Sequence, residues 1–234
     1  MDFGRTRSRN AADIEADDAM FHPDDVTRVP GQRDPERTRR AILEAATVEF
    51  VSNGFAGASV NEIAARANVN KRMLYHYFGK KEDLYIAVLE RTYIALRTAQ
   101  TQLKLGDVPP ATAIETFILF TWNYYLQYPE LLSLMTTENL LRGKYLARSE
   151  RVRDLYTPLM TMLSDILERG VQDGVFRPSI DPRQLYISIA SLSATFIATR
   201  CTLSTMVGRD LSTHEELHTR SQHVVDVILR YLRA

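Results

Sequence analysis

Between Ser59 and Phe78 the chain reads Ser-Val-Asn-Glu-Ile-Ala-Ala-Arg-Ala-Asn-Val-Asn-Lys-Arg-Met-Leu-Tyr-His-Tyr-Phe, and its last part gathers hydrogen-bond donors at close spacing. Lys71 and Arg72 can donate to O6 and N7 of guanine in a major groove, and Met73 can touch a thymine methyl. Tyr75 and His76 can donate to phosphate oxygens and so fix a register without reading bases. A cationic cluster on a helix is more often a solvated face than a site. Position gives this one its chemistry: cations that open the second of two helices joined by a tight turn meet the edges of bases.

The spacing dictates that pair of helices. Ser59 can accept from the free amides that open a helix, and Glu62 three residues on completes a capping box. Val60, Ile63, Ala64 and Ala67 fall on one helical face, with alanines where a second helix must approach closely. Asn68-Val69-Asn70 interrupts the pattern. Asparagine tolerates the left-handed backbone that ends a helix, and the Asn70 side chain can cap the next one. The spacing predicts that second helix over 71–77, with Leu74 and Phe78 inward, which is the layout of a DNA-reading helix-turn-helix.

Flanking elements hold the pair. Asp34-Pro35-Glu36 places a cap, a first-turn proline and an acid at the start of a bracing helix. Ile42, Ala45, Ala46, Glu49 and Phe50 then recur at helical spacing until Gly54 ends it. Gly79-Lys80-Lys81-Glu82-Asp83 opens a long helix expected to reach Leu105, with Lys80 and Lys81 beside free N–H groups that attract phosphate. Because it runs from the reading pair into the rest of the chain, this helix is expected to be the mechanical link.

Arg37-Thr38-Arg39-Arg40-Ala41-Ile42-Leu43-Glu44-Ala45-Ala46, Phe50, Asn53-Gly54-Phe55, Ser59-Val60, Ile63-Ala64, Ala67, Leu74-Tyr75-His76-Tyr77-Phe78, Lys81-Glu82-Asp83-Leu84 and Val88 follow in the order and spacing of a known pattern. From Arg33 to Leu96 the chain resembles the tetracycline-repressor (TetR) family of one-component bacterial regulators. The resemblance implies an all-α protein: an N-terminal three-helix helix-turn-helix DNA-binding domain over 33–80, and a C-terminal helical-bundle ligand-binding and dimerisation domain over 81–234. It implies DNA contacts from Ser59, Lys71, Arg72, Tyr75, His76 and Lys81. Residue chemistry adds Asn70, Met73 and Lys80. Two positions depart from the pattern, Asn68 where the turn usually has glycine and the bulky Arg72-Met73 where small residues are common, and they bear on which operator is read.

Composition sets limits. The chain has 234 residues, 45% hydrophobic and 25% charged, which is ordinary for a soluble globular protein. No uninterrupted apolar run approaches the roughly 20 residues that span a bilayer, and the N-terminus is charged rather than shaped like a secretory signal, so a cytoplasmic location without a membrane partner is expected. Cys201 is the single cysteine, leaving no intramolecular disulfide or thiolate metal site, and neither metal nor cofactor is expected. On an apolar helix it reads as a buried small hydrophobe.

The formal net charge is zero, but the charge is uneven. Residues 33–81 hold nine Lys and Arg against five Asp and Glu, a net of +4, while residues 1–32 carry −3 and the remainder −1. The positive potential sits on the reading module. By composition residues 1–32 are expected to be a disordered arm, and Arg5, Arg7 and Arg9, followed by many acids, read as part of a solvated tail rather than a minor-groove clamp.

From Pro109 onward helices are expected at about 111–127, 130–141, 148–173, 182–207 and 214–232, nine in all. Ile187, Ala190, Ser191, Ala194, Ile197 and Ala198 on the eighth, with Val224, Val225, Ile228, Leu229 and Leu232 on the ninth, form stripes that are either core or interface. TetR-like proteins pair through these two helices, so the resemblance implies a homodimer. Trp122, Tyr125, Tyr128, Met135 and Asn139 are the candidate contacts for a small-molecule effector of unknown identity, in a stripe whose blander reading is core. The run Tyr128-Pro129-Glu130, Glu138-Asn139-Leu140, Gly174-Val175-Phe176 and Asp181-Pro182 resembles the C-terminal domain of a TetR subgroup that includes a pyrimidine-responsive regulator.

An enzyme finds no support: five scattered histidines, no Ser-His-Asp or paired-carboxylate spacing, and no phosphate-cradling glycine loop. The expected function is a ligand-responsive repressor that binds a double-stranded palindromic operator as a dimer. A transcriptional activator of the same family and a helical adaptor without DNA binding are the alternatives.

Overall fold

The computed structural model describes residues 34–234, and Pro35–Ala234 form one compact unit. The arm expected over 1–32 lies outside the described residues. Among the described residues ten α-helices follow one another: α1 Pro35–Gly57, α2 Val60–Arg66, α3 Lys71–Phe78, α4 Lys81–Thr101, α5 Pro110–Gln127, α6 Pro129–Leu140, α7 Glu150–Asp154, α8 Tyr156–Gln172, α9 Pro182–Val207 and α10 His214–Leu232. A 3-10 turn, Leu146–Arg148, precedes α7. No strand forms among these residues; an isolated bridge pairs Phe176 with Arg233.

The local signals explain most boundaries. Gly54, at φ 63°, kinks α1 where its helical pattern was expected to stop, a backbone conformation glycine adopts without steric cost. Asn68 at φ 51° makes the left-handed step out of α2. One expected helix is in fact two. Ser149 caps the start of α7 by accepting from the Val152 amide (3.2 Å), and the segment read as 148–173 breaks after Asp154, where Pro158 has no N–H to return to the Asp154 carbonyl. The long link α4 also stops short of Leu105, at Thr101.

Two cores divide the unit. The first joins Ile42, Phe50, Ile63, Leu74, Phe78, Leu84, Tyr85, Val88 and Tyr93, and it recruits Leu134, Tyr145 and Val152 from later segments. The second is built on Leu96, Phe117, Trp122, Tyr125, Leu163, Ile189 and Ile228. The change from one core to the other falls inside α4, between Tyr93 and Leu96. A single rigid helix therefore belongs to both.

The stripes on the last two helices turn out to be mostly core. Ile197, Val224, Val225, Ile228 and Leu232 are buried within their own chain, with Ala190, Ala194 and Leu229 packed against the same core. What α9 and α10 leave outward is another face: Ile187, Ser191, Ala198 and Thr202 on the first, His223, Val227 and Tyr231 on the second. Cys201 shares the outer side of α9 and is exposed, contrary to its expected burial, since only one side of that helix meets the core. α9 is also the one described helix long and apolar enough to span a bilayer by length and composition, at mean hydropathy 1.2 and with 17% of that window buried. Its serines and threonines interrupt every apolar run, which is why no such run stands out in the sequence.

Gly170 on α8 receives the buried Phe176 ring, whose amide donates to the Gly170 carbonyl at 2.9 Å. A Cβ at this position would overlap that ring. Gly170→Ala is expected to destabilise the protein by about 1–3 kcal/mol through overpacking, while Val171→Ala next to it, on an exposed side chain, stays near wild type. Thermal denaturation of the two variants checks this.

Candidate nucleic-acid interface

The reading pair is anchored from behind. Leu74 is fully buried and Phe78 nearly so, fixing the inner face of α3, while Arg39 of α1 stacks over the Phe78 ring with its guanidinium carbon 5.0 Å from the centroid. The opposite face carries Lys71, Arg72, Tyr75 and His76 exposed, with Met73 half-buried beside them. Tyr75 is 43% exposed, and the Lys71 ammonium lies 5.8 Å from its ring. Arg72 has no partner among the described residues.

Caps set where each helix begins. Asn70 Oδ1 accepts from the Met73 amide at 2.8 Å, so the predicted cap of the second helix is made. Ser59 Oγ accepts from the Glu62 amide at 3.4 Å. The return half of that capping box is not made by Glu62. The Ser59 amide donates to Glu49 Oε1 at 3.0 Å, and Asn53 Nδ2 donates to the same oxygen at 3.0 Å. Glu49 is buried, so α1 holds the start of α2 through a carboxylate with two donors, a more rigid joint than a local box. The consequence for Ser59 and Asn70 is that both side chains are engaged as caps, and both lie at the ends of helices that carry the outward face.

The two lysines at the head of α4 differ. Lys80 is exposed, and its amide donates to Asp83 Oδ2 at 3.2 Å. Lys81 turns back: its ammonium donates to the Ala56 carbonyl at 3.4 Å and sits 5.0 Å from the Phe55 ring centroid. A phosphate reaching Lys81 has to compete with these two contacts.

The five effector candidates do not converge. Tyr125 is buried beside a polar cluster on α4 formed by Arg97 and Gln100, and burial pushes its hydroxyl far above the usual tyrosine range. Trp122 is buried too, stacked on Phe196 of α9 at 5.6 Å. Met135 lies against both cores. Tyr128 is at the surface against Tyr124 (ring centroids 4.4 Å), on a groove of about 300 Å³ with Arg91, Thr92 and Glu130. Asn139 is exposed, its amide donating to the Met135 carbonyl of its own helix at 2.9 Å.

Sequence reasoning missed the joint between the cores. Glu138 of α6 is buried, and its Oε1 accepts from the Tyr145 and Leu146 amides at 2.7 and 2.8 Å. That holds the Tyr145 ring against Phe55 (4.5 Å) and Tyr85 (5.3 Å). Arg148 pairs with Asp83 at 3.2 Å, and Ser149 Oγ donates to Glu90 at 2.7 Å, so the segment after α6 is tied along the first half of α4. A lone acid at an inward helical position is the signal that could have drawn attention to Glu138.

Comparison with known proteins agrees with this geometry. Residues 42–88 match the family described as bacterial regulatory proteins, tetR family, and residues 110–228 match the tetracyclin repressor-like C-terminal domain. The chain is similar to the HTH-type transcriptional repressor NicS of Pseudomonas putida, with 36% identity over 209 residues covering 88% of this chain and 99% of that one. It is also similar to the HTH-type transcriptional repressor SCO4008 of Streptomyces coelicolor, with 36% identity over 140 residues covering 59% and 69% of the two chains. The solved structure of a transcriptional regulator named SCO4942, from Streptomyces coelicolor, shares the fold at TM-score 0.62 and 24% identity, over 83% of this chain and 98% of that one. An α3 that presents exposed donors from a capped helix-turn-helix, continued by a matching C-terminal helical domain, agrees with these matches, which place the chain in the TetR family of bacterial transcriptional regulators.

Proposed function

We propose that this regulator is a ligand-responsive repressor whose homodimer binds a palindromic operator. The observation that carries the reading is the outward face of α3, where Lys71, Arg72, Tyr75 and His76 stand exposed on a helix whose other side is locked by Leu74 and Phe78. Lys71, Arg72 and Met73 meet base edges; Tyr75, His76 and Lys80 meet phosphate, joined by Ser59 and Asn70 at the helix starts and by Lys81 once its ammonium leaves Ala56. The repressor names of the similar proteins support repression over activation.

Pairing through α9 and α10 is supported by the apolar side chains these helices leave in water: Ile187 (51% exposed), Val207, Val227 and Tyr231. A symmetric pair places two α3 helices toward successive major grooves about one DNA turn apart. An effector acts on the second core. α4 runs through both cores and is tied to the α6–α7 segment, so a ligand that favours a different tilt of α4 changes the spacing of the reading heads. Lowering occupancy a hundredfold requires a preference of roughly 2.7 kcal/mol for the non-binding state.

Sedimentation equilibrium combined with footprinting on DNA upstream of the protein's own gene tests this. A dimer protecting two half-sites related by a dyad is expected; a monomer, or protection without symmetry, contradicts it. Tyr75→Phe is expected to weaken cognate and unrelated duplexes alike, by about fivefold per half-site for one lost phosphate bond. Affinities of the variant for both duplexes check that the ratio stays unchanged.

A further inference from the structure

Arg97 is a buried cation without a counter-ion. It lies in the last two turns of α4 and is 2% exposed, yet among the described residues no Asp or Glu stands within ion-pair distance of it. Its guanidinium donates to Gln100 Oε1 at 2.5 Å and to the Tyr186 hydroxyl at 2.7 Å. It also lies over the rings of Tyr156 (4.7 Å) and Tyr186 (4.9 Å). These partners are neutral. Burial pushes the hydroxyls of Tyr93, Tyr125 and Tyr186 above the usual tyrosine range, so near neutral pH none of them supplies the missing negative charge. A guanidinium sealed from water without an opposite charge is costly, and an anion seated beside it would offset that cost.

A second observation points the same way. Gln100 is fully buried next to Arg97, its oxygen is used by the guanidinium, and its Nε2 has no partner among the described residues. A ligand oxygen in this cluster would satisfy that amide and the charge together. One wall of the cluster also reaches the surface. Tyr156, which covers the guanidinium and meets Tyr186 edge-on at 5.8 Å, is 40% exposed and follows directly on the break between α7 and α8.

From this geometry we infer that the effector is a small planar carboxylate, held two-pronged by Arg97 with Gln100 Nε2 as a further donor, its flat body lying among Tyr93, Tyr125, Tyr156 and Tyr186. A carboxylate matches the forked donors of a guanidinium, and aromatic walls suit a flat apolar body. The inference rests on the ligand-responsive reading above. It adds how the signal starts: Arg97 is 16 residues along α4 from Lys81, about 24 Å of helix, so an anion seated there acts on the far end of the rod that carries the reading head.

The test uses the full chain, with benzoate, 4-hydroxybenzoate, salicylate and indole-3-acetate as probes and the corresponding amides as neutral isosteres. Binding is followed by thermal shift and calorimetry, and operator affinity is measured in parallel. At least one carboxylate is expected to stabilise the protein while its amide does not, and to weaken operator binding. Arg97→Gln is expected to abolish that stabilisation. Arg97→Lys, which keeps the charge and tests the site if the first variant does not fold, is expected to weaken it by about tenfold through loss of the two-pronged contact. Equal response to acids and amides across all four pairs, or a carboxylate effect retained in both variants, overturns the anion site and leaves DNA binding untouched. Arg97-dependent binding with unchanged operator affinity supports the site and counts against ligand-responsive control.

Discussion

Replacing Arg72 with alanine is expected to weaken operator binding by about 2–6 kcal/mol and to relax base preference at one position in each half-site. A good bidentate contact to a base discriminates by roughly 1–3 kcal/mol, and a symmetric dimer loses it twice. Arg72 can supply such a contact: it is exposed near the start of α3, no group of the described chain engages it, and Asn70 fixes the helix beneath it by accepting from the Met73 amide. Lys71→Ala belongs to the same class with a smaller effect, since an ammonium is a point donor and this one already rests near the Tyr75 ring. Affinities measured on duplexes that differ by single base pairs separate this outcome from simple loss of charge. If Lys71→Ala, Arg72→Ala and Tyr75→Phe all weaken every duplex equally, these residues are not the base readers.

Glu138→Ala is expected to cost about 3 kcal/mol of stability, lowering the melting temperature by about 6–12 °C. Glu138 Oε1 accepts from two backbone amides, and truncation strands the Tyr145 amide in a buried place. It also frees the Tyr145 ring, which fills the space between Phe55 of α1 and Tyr85 of α4. The second consequence separates this variant from an ordinary core truncation. Loosening the segment that ties α6 and α7 to α4 is expected to reduce how strongly an effector alters DNA affinity, even below the melting transition. Thermal denaturation gives the first quantity, and effector-dependent operator binding at low temperature gives the second. A variant that melts like wild type and keeps full effector response would show that Glu138 holds neither the segment nor the coupling.

Local signals made the DNA-reading half legible from residues alone. Asn68 and Asn70 do what short polar side chains do at helix ends, and Leu74 and Phe78 point inward as their spacing requires. The first failure within it is instructive: the Ser59 amide is satisfied by Glu49, ten residues upstream, and only a folded α1 brings that carboxylate within reach. Pro158 offered a readable break in the 148–173 segment, but apolar periodicity ran across it.

The second half was harder to read because periodicity does not say what covers a stripe. Val224, Val225, Ile228 and Leu232 repeat as an interface helix would, and they are spent on the monomer's own core. The residues proposed to meet an effector were obscured for a related reason. Aromatic side chains mark any helical core, so Trp122 and Tyr128 carried no special information, whereas Arg97 and Gln100 did. They continue the inward spacing of Leu89, Tyr93 and Leu96 along α4, and a cation at such a position is the rarer observation.

The most direct test of DNA reading is fluorescence anisotropy of the full chain with labelled DNA from upstream of its own gene, across a salt series and against an unrelated duplex. Tight binding is expected, with the specific duplex favoured by about a thousandfold or more and affinity falling steeply with salt. Weak binding that is equal for both duplexes at every salt concentration would contradict it.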